Sequence, residues 1–363
     1  MKRRWHSFSN GDLWFERKEK IMEEFKILKD LVKFNTIKDK ENKEILEYIE
    51  NYLLKLGFKT ECKTKNLIMS IGENSRIGFL GHTDTVEYID EFKNPFDLTL
   101  KDGYLYGLGS CDMKGGIAAM LDAVSQINFS KLKSGMKLYF TYDEEIGFGG
   151  IQEIVMSGEK FPEIMIFGEP TNNVIYTGHK GLIEYELYFK GLKAHSSNPA
   201  KGISANLNAV KFLYELEEYY NNEIKKDEEM VYEVPYTTMN VGVINGGTAK
   251  NSVPAFCNIT IDFRIANEKH VSKIKNKINE LAKKYLAEVN IIEETMPFAD
   301  NIDFIDEIKT TNFMTEAGKV SGCKRIILGT GPVTAHEVNE NISIESYRKL
   351  VKQYKEIINN ICK

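Results

Sequence analysis

The chain of 363 residues lacks the features of secreted, membrane-embedded and nucleic-acid-binding proteins. Its five cysteines lie far apart and form no Cys-x-x-Cys pair, which argues against disulfides or a thiolate zinc site. No apolar run approaches the ~18 residues that a membrane span needs, and none follows the basic N-terminus as a secretory signal requires. The net charge of −5 gives no electrostatic reason to bind nucleic acid. We therefore expect a cytoplasmic protein without nucleic-acid or membrane partners.

Three common catalytic motifs are also missing. No Gly-x-Ser-x-Gly elbow is present, and no Gly-Lys-Ser or Gly-Lys-Thr ends a phosphate-binding loop. Gly107-Leu108-Gly109 is followed by Asp112 where a dinucleotide-binding motif needs a third glycine. These absences disfavour an α/β-hydrolase, a P-loop nucleotide-binding enzyme and a dinucleotide-dependent oxidoreductase.

The composition predicts a globular protein of about two domains. Hydrophobic residues make up 42% of the chain and charged residues 28%, which is enough apolar material for sizeable cores. Residues 1–21 are expected to be an upstream extension, because Met22 opens a better helix pattern. His6 and His270 have no partners nearby in the sequence, and we expect both at the surface.

The first half of the chain alternates helix and strand patterns. Apolar residues at three-to-four-residue spacing predict helices over 45–56, which ends at Gly57, and over 117–127. Short apolar runs predict strands at 67–71, 77–80, 138–140 and 164–167. Such alternation is typical of an α/β domain with a mainly parallel sheet covered by helices.

From about Gly181 the pattern changes. Strict alternation predicts strands over 183–189 and 259–265, and further strands are expected near 238–244 and 289–292. Helix patterns run through Leu207, Val210, Leu213 and Leu216, and again from Val271 to Tyr285. The order β-α-β-β-α-β predicts a ferredoxin-like α+β domain at 179–292. We interpret it as inserted into a catalytic domain made of 1–178 and 293–363.

Acidic and histidine residues follow the predicted strands of the first domain. His82 and Asp84 follow one strand, Glu144 and Glu145 the next, and Glu169 a third. The carboxyl ends of parallel strands meet at one edge of a sheet, where open α/β sheets bind their ligands. Asp112, just before a predicted helix, can join them, and His336 lies in the tail.

Each of these residues is ordinary alone, since a lone buried histidine is more often satisfied by hydrogen bonds than bound to metal. Together, two histidines and three carboxylates suit zinc, cobalt or manganese. Five ligands exceed what one tetrahedral zinc takes, so two metals with a shared carboxylate are predicted. Adjacent carboxylates point to opposite sides, so Glu144 and Glu145 cannot share one role: one could bind metal while the other moves protons.

With these motifs in place, the sequence resembles the two-metal hydrolases that include acetylornithine deacetylase, succinyl-diaminopimelate desuccinylase, aminoacylase and the glutamate carboxypeptidases. The resemblance covers nearly the whole chain from about residue 22. Its motifs are Gly-His-Thr-Asp-Thr-Val at 81–86, 107–116, Asp-Glu-Glu-Ile-Gly at 143–147, Gly-Glu-Pro-Thr at 168–171, 194–199, 246–254, Asp-Phe-Arg at 262–264 and Thr-Ala-His at 334–336.

The resemblance implies a role for each site residue. His82 and Glu169 would hold one metal, Glu145 and His336 the other, and Asp112 would bridge both. The resemblance also implies a cis peptide bond between Asp112 and Met113. Asp84 would orient His82, and Glu144 would be the general base. The inserted domain would form a lid and a homodimer interface, with His195 reaching a neighbouring subunit's site. Asn251 and Arg264 would hold the substrate carboxylate.

The substrate is the least determined property. The stretches at 178–181, 195–200 and 329–336 are most similar to the acetylornithine deacetylase branch. A desuccinylase is the next alternative, because the tail with Asn339 and Glu340 also resembles that branch, and a dipeptidase or carboxypeptidase is the third. Gly329-Thr330-Gly331-Pro332-Val333 departs from the family's usual Gly-Pro-Gly, so the shape of the loop near the substrate carboxylate is left open. A catalytically silent protein that binds an amino-acid derivative is the alternative from another class. The best expectation is cleavage of a small N-acyl amino acid by metal-activated water.

Overall fold

The computed structural model describes residues 21–37, 42–88, 91–311 and 313–363. These residues form two compact units, one running as far as Tyr176 and resuming at Val320–Lys363, the other comprising Thr177–Lys319. The expected extension lies, except for Ile21, outside the described residues, and so does His6.

The first unit is built on a mixed six-stranded sheet. Its strands, in spatial order, are β1 (Lys59–Lys63), β2 (Leu67–Ile71), β6 (Met136–Thr141), β3 (Ile77–His82), β7 (Ile164–Phe167) and β15 (Lys324–Ile327). The neighbours β6, β3, β7 and β15 are parallel, whereas β1 and β2 join antiparallel at one edge. A small sheet comprises β4 (Thr99–Lys101), β5 (Tyr104–Tyr106) and β16 (Asn341–Ser343). The predicted parallel core is confirmed.

Helices of the first unit bury apolar side chains in its core, except for the single turn at Glu144–Gly147, which buries none. They are α1 (Lys26–Val32), α2 (Lys43–Lys55), α3 (Lys114–Ser125), α4 (Glu144–Gly147), α5 (Gly149–Met156) and α8 (Ile344–Cys362). Almost every side chain of α3 is buried. A Cβ on Gly115 would lie 2.1 Å from the Ser110 carbonyl oxygen, and one on Gly116 would lie 2.2 Å from that of Gly168. Glycine at these two positions therefore lets α3 start directly against two loops that carry acidic residues.

The second unit has the predicted β-α-β-β-α-β order. Its elements are β9 (Gly181–Lys190), α6 (Ala205–Tyr219), β10 (Thr238–Gly246), β11 (Phe256–Ile265), α7 (Lys269–Tyr285) and β12 (Ala287–Thr295). The antiparallel sheet has the spatial order β10, β11, β9, β12. Alternate residues of β9 and β11, such as Leu187 and Ile261, are fully buried beneath the two helices. The ferredoxin-like prediction is confirmed.

Helix α6 buries only part of the face suggested by its leucine spacing: Leu216 is buried and Leu213 packs against the core, but Leu207 and Val210 do not. Its core residues are Ala205, Ala209, Phe212 and Leu216. Leu207 and Val210 are 60% and 61% exposed, and Tyr214 is 64% exposed. The small side chains of Ala205 and Ala209 let the first half of the helix lie close to the sheet, and there Leu207 and Val210 face outward.

Residues 293–319, which the sequence assigns to the catalytic domain, cluster with the second unit. The reason is a second small sheet of β8 (Gly178–His179), β13 (Phe298–Ala299) and β14 (Thr310–Thr311). Because β13 and β14 both pair with β8, the segment after β12 returns to the start of the unit. Within the described residues, no helix is long and apolar enough to cross a membrane.

Candidate metal centre

Five predicted ligands converge around Asp112 in the first unit. Nε2 of His82 lies 3.2 Å from Oδ1 of Asp112, and Nε2 of His336 lies 3.5 Å from Oδ2 of the same carboxylate. The His336 nitrogen is also 3.1 Å from Glu145, and the His82 nitrogen is 3.9 Å from Glu169. Asp112 therefore presents one oxygen to each histidine, which is the arrangement that a bridging carboxylate requires.

The parallel strands explain this convergence. His82 is the last residue of β3, Glu145 lies four residues after β6, and Glu169 lies two residues after β7. Because these strands are parallel neighbours, their carboxyl ends open at one edge of the sheet. Asp112 enters from the start of α3, across a cis peptide bond to Met113 that agrees with the family resemblance.

Asp84 contacts both sides of the cluster. Its carboxylate lies 3.5 Å from Nδ1 of His82 and accepts the backbone N–H of Glu145 at 3.2 Å. The closer partner of Nδ1 is the backbone carbonyl oxygen of Asp84, at 3.0 Å. Asp84 thus fixes the ring of His82 and the position of Glu145 together, a wider role than orienting one histidine.

Three residues at or next to the cluster have a left-handed backbone conformation. Asp143 and Phe148, on either side of the short helix α4, have φ of 57° and 59°, and His336 has φ of 63°. Non-glycine residues seldom adopt this left-handed conformation, which is concentrated at functional sites. The two left-handed residues hold Glu144 and Glu145 on a single turn of helix between them.

The cluster strongly favours positive charge. Hydrogen bonds with Asp112 and Glu145 raise the pKa of His336 to about 10. Burial opposes a charge on His82, but hydrogen bonds with Asp112 and Asp84 raise its pKa well above the usual value. Burial likewise opposes ionisation of Asp112, yet its hydrogen bonds with both histidines hold its pKa below the usual range.

The donor set fits divalent cations. Ligand atoms of His82, Asp112 and Glu145 all lie within 4.8 Å of one another. The atoms available are imidazole nitrogens and carboxylate oxygens, which suit zinc, cobalt and manganese. The neighbouring Cys111 directs its sulfur to the Pro332 carbonyl oxygen, and burial raises the pKa of its thiol to about 12. It therefore contributes no thiolate.

Two buried charged residues beside the cluster received no site role from the sequence, although Glu340 was noted there as part of the tail. Lys114 is fully buried, donates to the Phe34 carbonyl oxygen at 2.8 Å, and has its pKa lowered by burial to about 7. Glu340 is 2% exposed and accepts three backbone N–H groups from the loop that carries Asp112. Both lie inside or next to motif stretches, which was the only signal available for them.

The three other predicted site residues lie in the second unit. His195 and Asn251 are on adjoining segments, because the Ser196 N–H donates to the Asn251 carbonyl oxygen at 3.0 Å. Asn251 lies before the start of β11, whereas Arg264 is the ninth of its ten residues. Arg264 is therefore near the opposite end of that strand. Its guanidinium lies 3.1 Å from Asp262. The structure thus groups His195 with Asn251 and separates Arg264 from both.

The expectation of a surface position for His270 is wrong, because this residue is fully buried. Its Nδ1 lies 2.8 Å from Oγ1 of Thr237, and its Nε2 lies 3.0 Å from Oδ2 of Asp227. Both partners are more than thirty positions away in the sequence, so a search for nearby partners could not find them.

Comparisons with known proteins agree with this fold. Residues 177–290 match the model of a peptidase dimerisation domain of the M20 family. The chain is 32% identical to an acetylornithine deacetylase from Buchnera aphidicola, over 94% of this chain and 99% of that protein.

Two solved structures share the fold. One is aminopeptidase PepT from Bacillus cereus, with a TM-score of 0.75 at 21% identity, covering 95% of this chain and 99% of that one. The other is an M20 family metallo-carboxypeptidase from Sulfolobus solfataricus, with a TM-score of 0.73 at 20% identity and coverages of 93% and 98%.

Taken with the ligand cluster, these similarities define a metal-dependent amidohydrolase. The chain belongs to the hydrolase family of the acetylornithine deacetylases, and it contains the dimerisation domain of the M20 peptidases. The family assignment made from its motifs is confirmed.

Proposed function

We propose that the protein removes the acyl group from a small N-acyl amino acid, with N-acetylornithine as the first candidate. The observation that carries this proposal is the single carboxylate of Asp112 facing two histidines, each beside a further carboxylate. The 32% identity to an acetylornithine deacetylase over nearly the full length of both proteins supports the choice of substrate.

The proposed ligands are His82 and Glu169 for one cation and Glu145 and His336 for the other, with Asp112 between them. When bound, two divalent cations, which we propose to be zinc, would polarise the amide carbonyl and lower the pKa of an attacking water. Glu144 would accept the proton of that water and deliver it to the departing amine, because an amine leaves poorly as an anion. Asp84 would hold the ring of His82 and the backbone of Glu145 in place through the contacts described above.

In the second unit, His195 would donate to the carbonyl oxygen as negative charge develops there. Asn251 and Arg264 would bind the substrate carboxylate, for which a guanidinium is well suited. Eight residue steps along β11 from Phe256 to Arg264 span about 26 Å at ~3.3 Å per residue. An amino-acid-sized substrate cannot bridge that distance within one chain. His195 and Asn251 would therefore come from one subunit and Arg264 from the other.

A homodimer accounts for this separation. The match to a dimerisation domain covers the unit in question. Its surface carries exposed apolar side chains on α6 and on β10, where Val243 and Ile244 are 54% and 60% exposed. Together with Leu207 and Val210, they offer the kind of apolar surface that a partner subunit covers.

Mixed dimers test the cross-subunit role. Chains with Glu144→Gln and chains with His195→Ala are each expected to be inactive alone. In a mixed dimer, one site combines an intact Glu144 with the partner's intact His195, so about half of the wild-type activity should return. No recovery, or a fully active monomer in sedimentation, would contradict the arrangement.

A substrate screen tests the reaction. Metal-free protein is supplied with zinc, cobalt or manganese, and kcat/KM is measured for N-acetylornithine, N-succinyl-diaminopimelate, other N-acyl amino acids and dipeptides. We expect N-acetylornithine to be preferred. Peptides form the second arm because the two solved structures named above are peptidases. Binding without turnover of any substrate would favour a silent binding protein instead.

The five cysteines, free in the structure, support a cytoplasmic location.

A further inference from the structure

Glu340 is a buried carboxylate whose hydrogen bonds all go to the loop that carries Asp112. Its Oε1 accepts the N–H groups of Cys111 and Asp112 at 2.7 and 2.9 Å, and its Oε2 accepts that of Gly109 at 2.7 Å. Gly109 has φ of 76°, and a Cβ there would lie 2.9 Å from Lys114 and from Thr85. The loop is therefore shaped to turn its N–H groups toward one acceptor.

The same residue also belongs to the segment that carries His336. Thr334 and Asn341 exchange two hydrogen bonds, of 2.7 and 2.9 Å, which fasten the ends of the loop between them. Glu340 lies at the base of that loop, and its backbone carbonyl accepts the N–H of Gly107 at 3.2 Å. One residue thus joins the loop of the shared carboxylate to the loop of a histidine that faces it.

The geometry points to Glu340 as a positioning residue that sets the spacing between Asp112 and His336 and thereby the affinity for the second cation. This inference rests on the metal centre proposed above. Glu340 contacts the backbone of Asp112 and not its side chain, so it acts through the loop. Partners of this kind, which hold the ligands without binding the metal, typically contribute 10–100-fold in metal affinity.

Both carboxylate oxygens of Glu340 act as acceptors, so its acceptor pattern matters as well as its size. Glutamine keeps one carbonyl oxygen, which can still accept two N–H groups. Its amide nitrogen would then face the remaining N–H group, and two donors would oppose each other. Glu340→Gln should therefore loosen one side of the loop while the size of the side chain is kept.

The experiment titrates metal-free protein with Co²⁺ and follows visible absorption and heat release. We expect Glu340→Gln to bind the second Co²⁺ at least ~10-fold more weakly than wild type. Excess Co²⁺ should restore its turnover, because the groups that contact substrate are unchanged. The matched control is Glu337→Gln, an exposed glutamate of the same loop, which should bind as wild type does.

Unchanged Co²⁺ affinity in Glu340→Gln, or turnover that stays lost at saturating Co²⁺, would overturn the role of Glu340. If Glu340→Gln does not fold, Glu340→Asp, which keeps the charge but is too short to reach all three N–H groups, is judged by the same two criteria. Wild-type protein that binds no Co²⁺ would instead refute the metal centre itself, so the two failures are distinguishable.

Discussion

Each unit of the molecule contains a buried histidine held by an aspartate, yet only one of the two lies in the candidate metal centre. In the second unit, each ring nitrogen of His270 has one hydrogen-bond partner, Thr237 or Asp227. In the first unit, Nε2 of His82 faces two carboxylates, those of Asp112 and Glu169. The difference is a surplus of acceptors around His82.

The surroundings of the aspartates differ in the same way. The side chain of Asp227 is 53% exposed, and Lys273 lies 3.5 Å from it, so water and a cation already balance its charge. The side chain of Asp112 is 14% exposed and lies between two histidines. A histidine–aspartate pair is therefore structural where its charge is balanced locally, and it becomes a candidate metal site where further carboxylates converge.

The largest expected effect comes from Glu144, the proposed proton acceptor in the first unit. Glu144→Gln removes the proposed proton acceptor but not a proposed ligand, so turnover should fall by ~10²–10⁴-fold or more while metal content is retained. Turnover by steady-state assay and metal by elemental analysis check this expectation. Glu145→Gln, one residue along, is the matched control and should lose metal. Near-normal turnover in Glu144→Gln would remove this residue from its role.

The second prediction concerns the shared carboxylate. Asp112→Asn leaves one oxygen for two cations, so the protein should hold fewer than two metals per chain and lose most of its activity. Asparagine has nearly the size of aspartate, so the fold should persist, which circular dichroism can confirm. Elemental analysis that still finds two metals per chain would refute the bridge and weaken the contrast between the two units.

The parts of this site that follow local patterns are predictable from the sequence. Strand β2 spans the predicted 67–71, and β7 spans the predicted 164–167, because apolar runs this short between turns are typical of buried strands and too short for most helices. The ligands were identified because each follows a strand of one parallel sheet or belongs to a family motif. Neither signal requires knowledge of tertiary contacts.

What sequence could not supply depends on contacts between distant segments. His270 is buried by Thr237 and Asp227, and Glu340 is held by N–H groups about 230 positions earlier in the chain. The exposed Leu207 and Val210 have the spacing of a core face, but the smaller Ala205 and Ala209 pack more closely against the sheet. Periodicity identifies a helix without choosing between two apolar stripes.

A third prediction compares Asp84, which contacts His82, with Asp227, which contacts His270. Asp84→Asn alters the residue that contacts both His82 and Glu145, so metal affinity or activity should fall by ~10–100-fold. Asp227→Asn changes the corresponding partner of His270 and should leave metal content and kcat/KM at wild-type values. The measurements are calorimetric metal titration and steady-state kinetics on both variants. Equal losses of activity in the two variants would show that the pairs do not differ in kind.

The smallest effect on activity is expected from His270 itself. His270→Gln cannot reach both former partners, so the buried Thr237 hydroxyl loses one hydrogen bond inside the second unit. The hydroxyl still accepts the Ala266 N–H, so only one of its two hydrogen bonds is lost. That loss should cost about 1 kcal/mol, which urea denaturation can measure as a lower midpoint at unchanged slope. Metal content and kcat/KM at temperatures where the variant is folded should match wild type. A loss of metal from His270→Gln at such temperatures would contradict a purely structural role for the second pair, since its hydrogen bonds lie entirely within the ferredoxin-like unit.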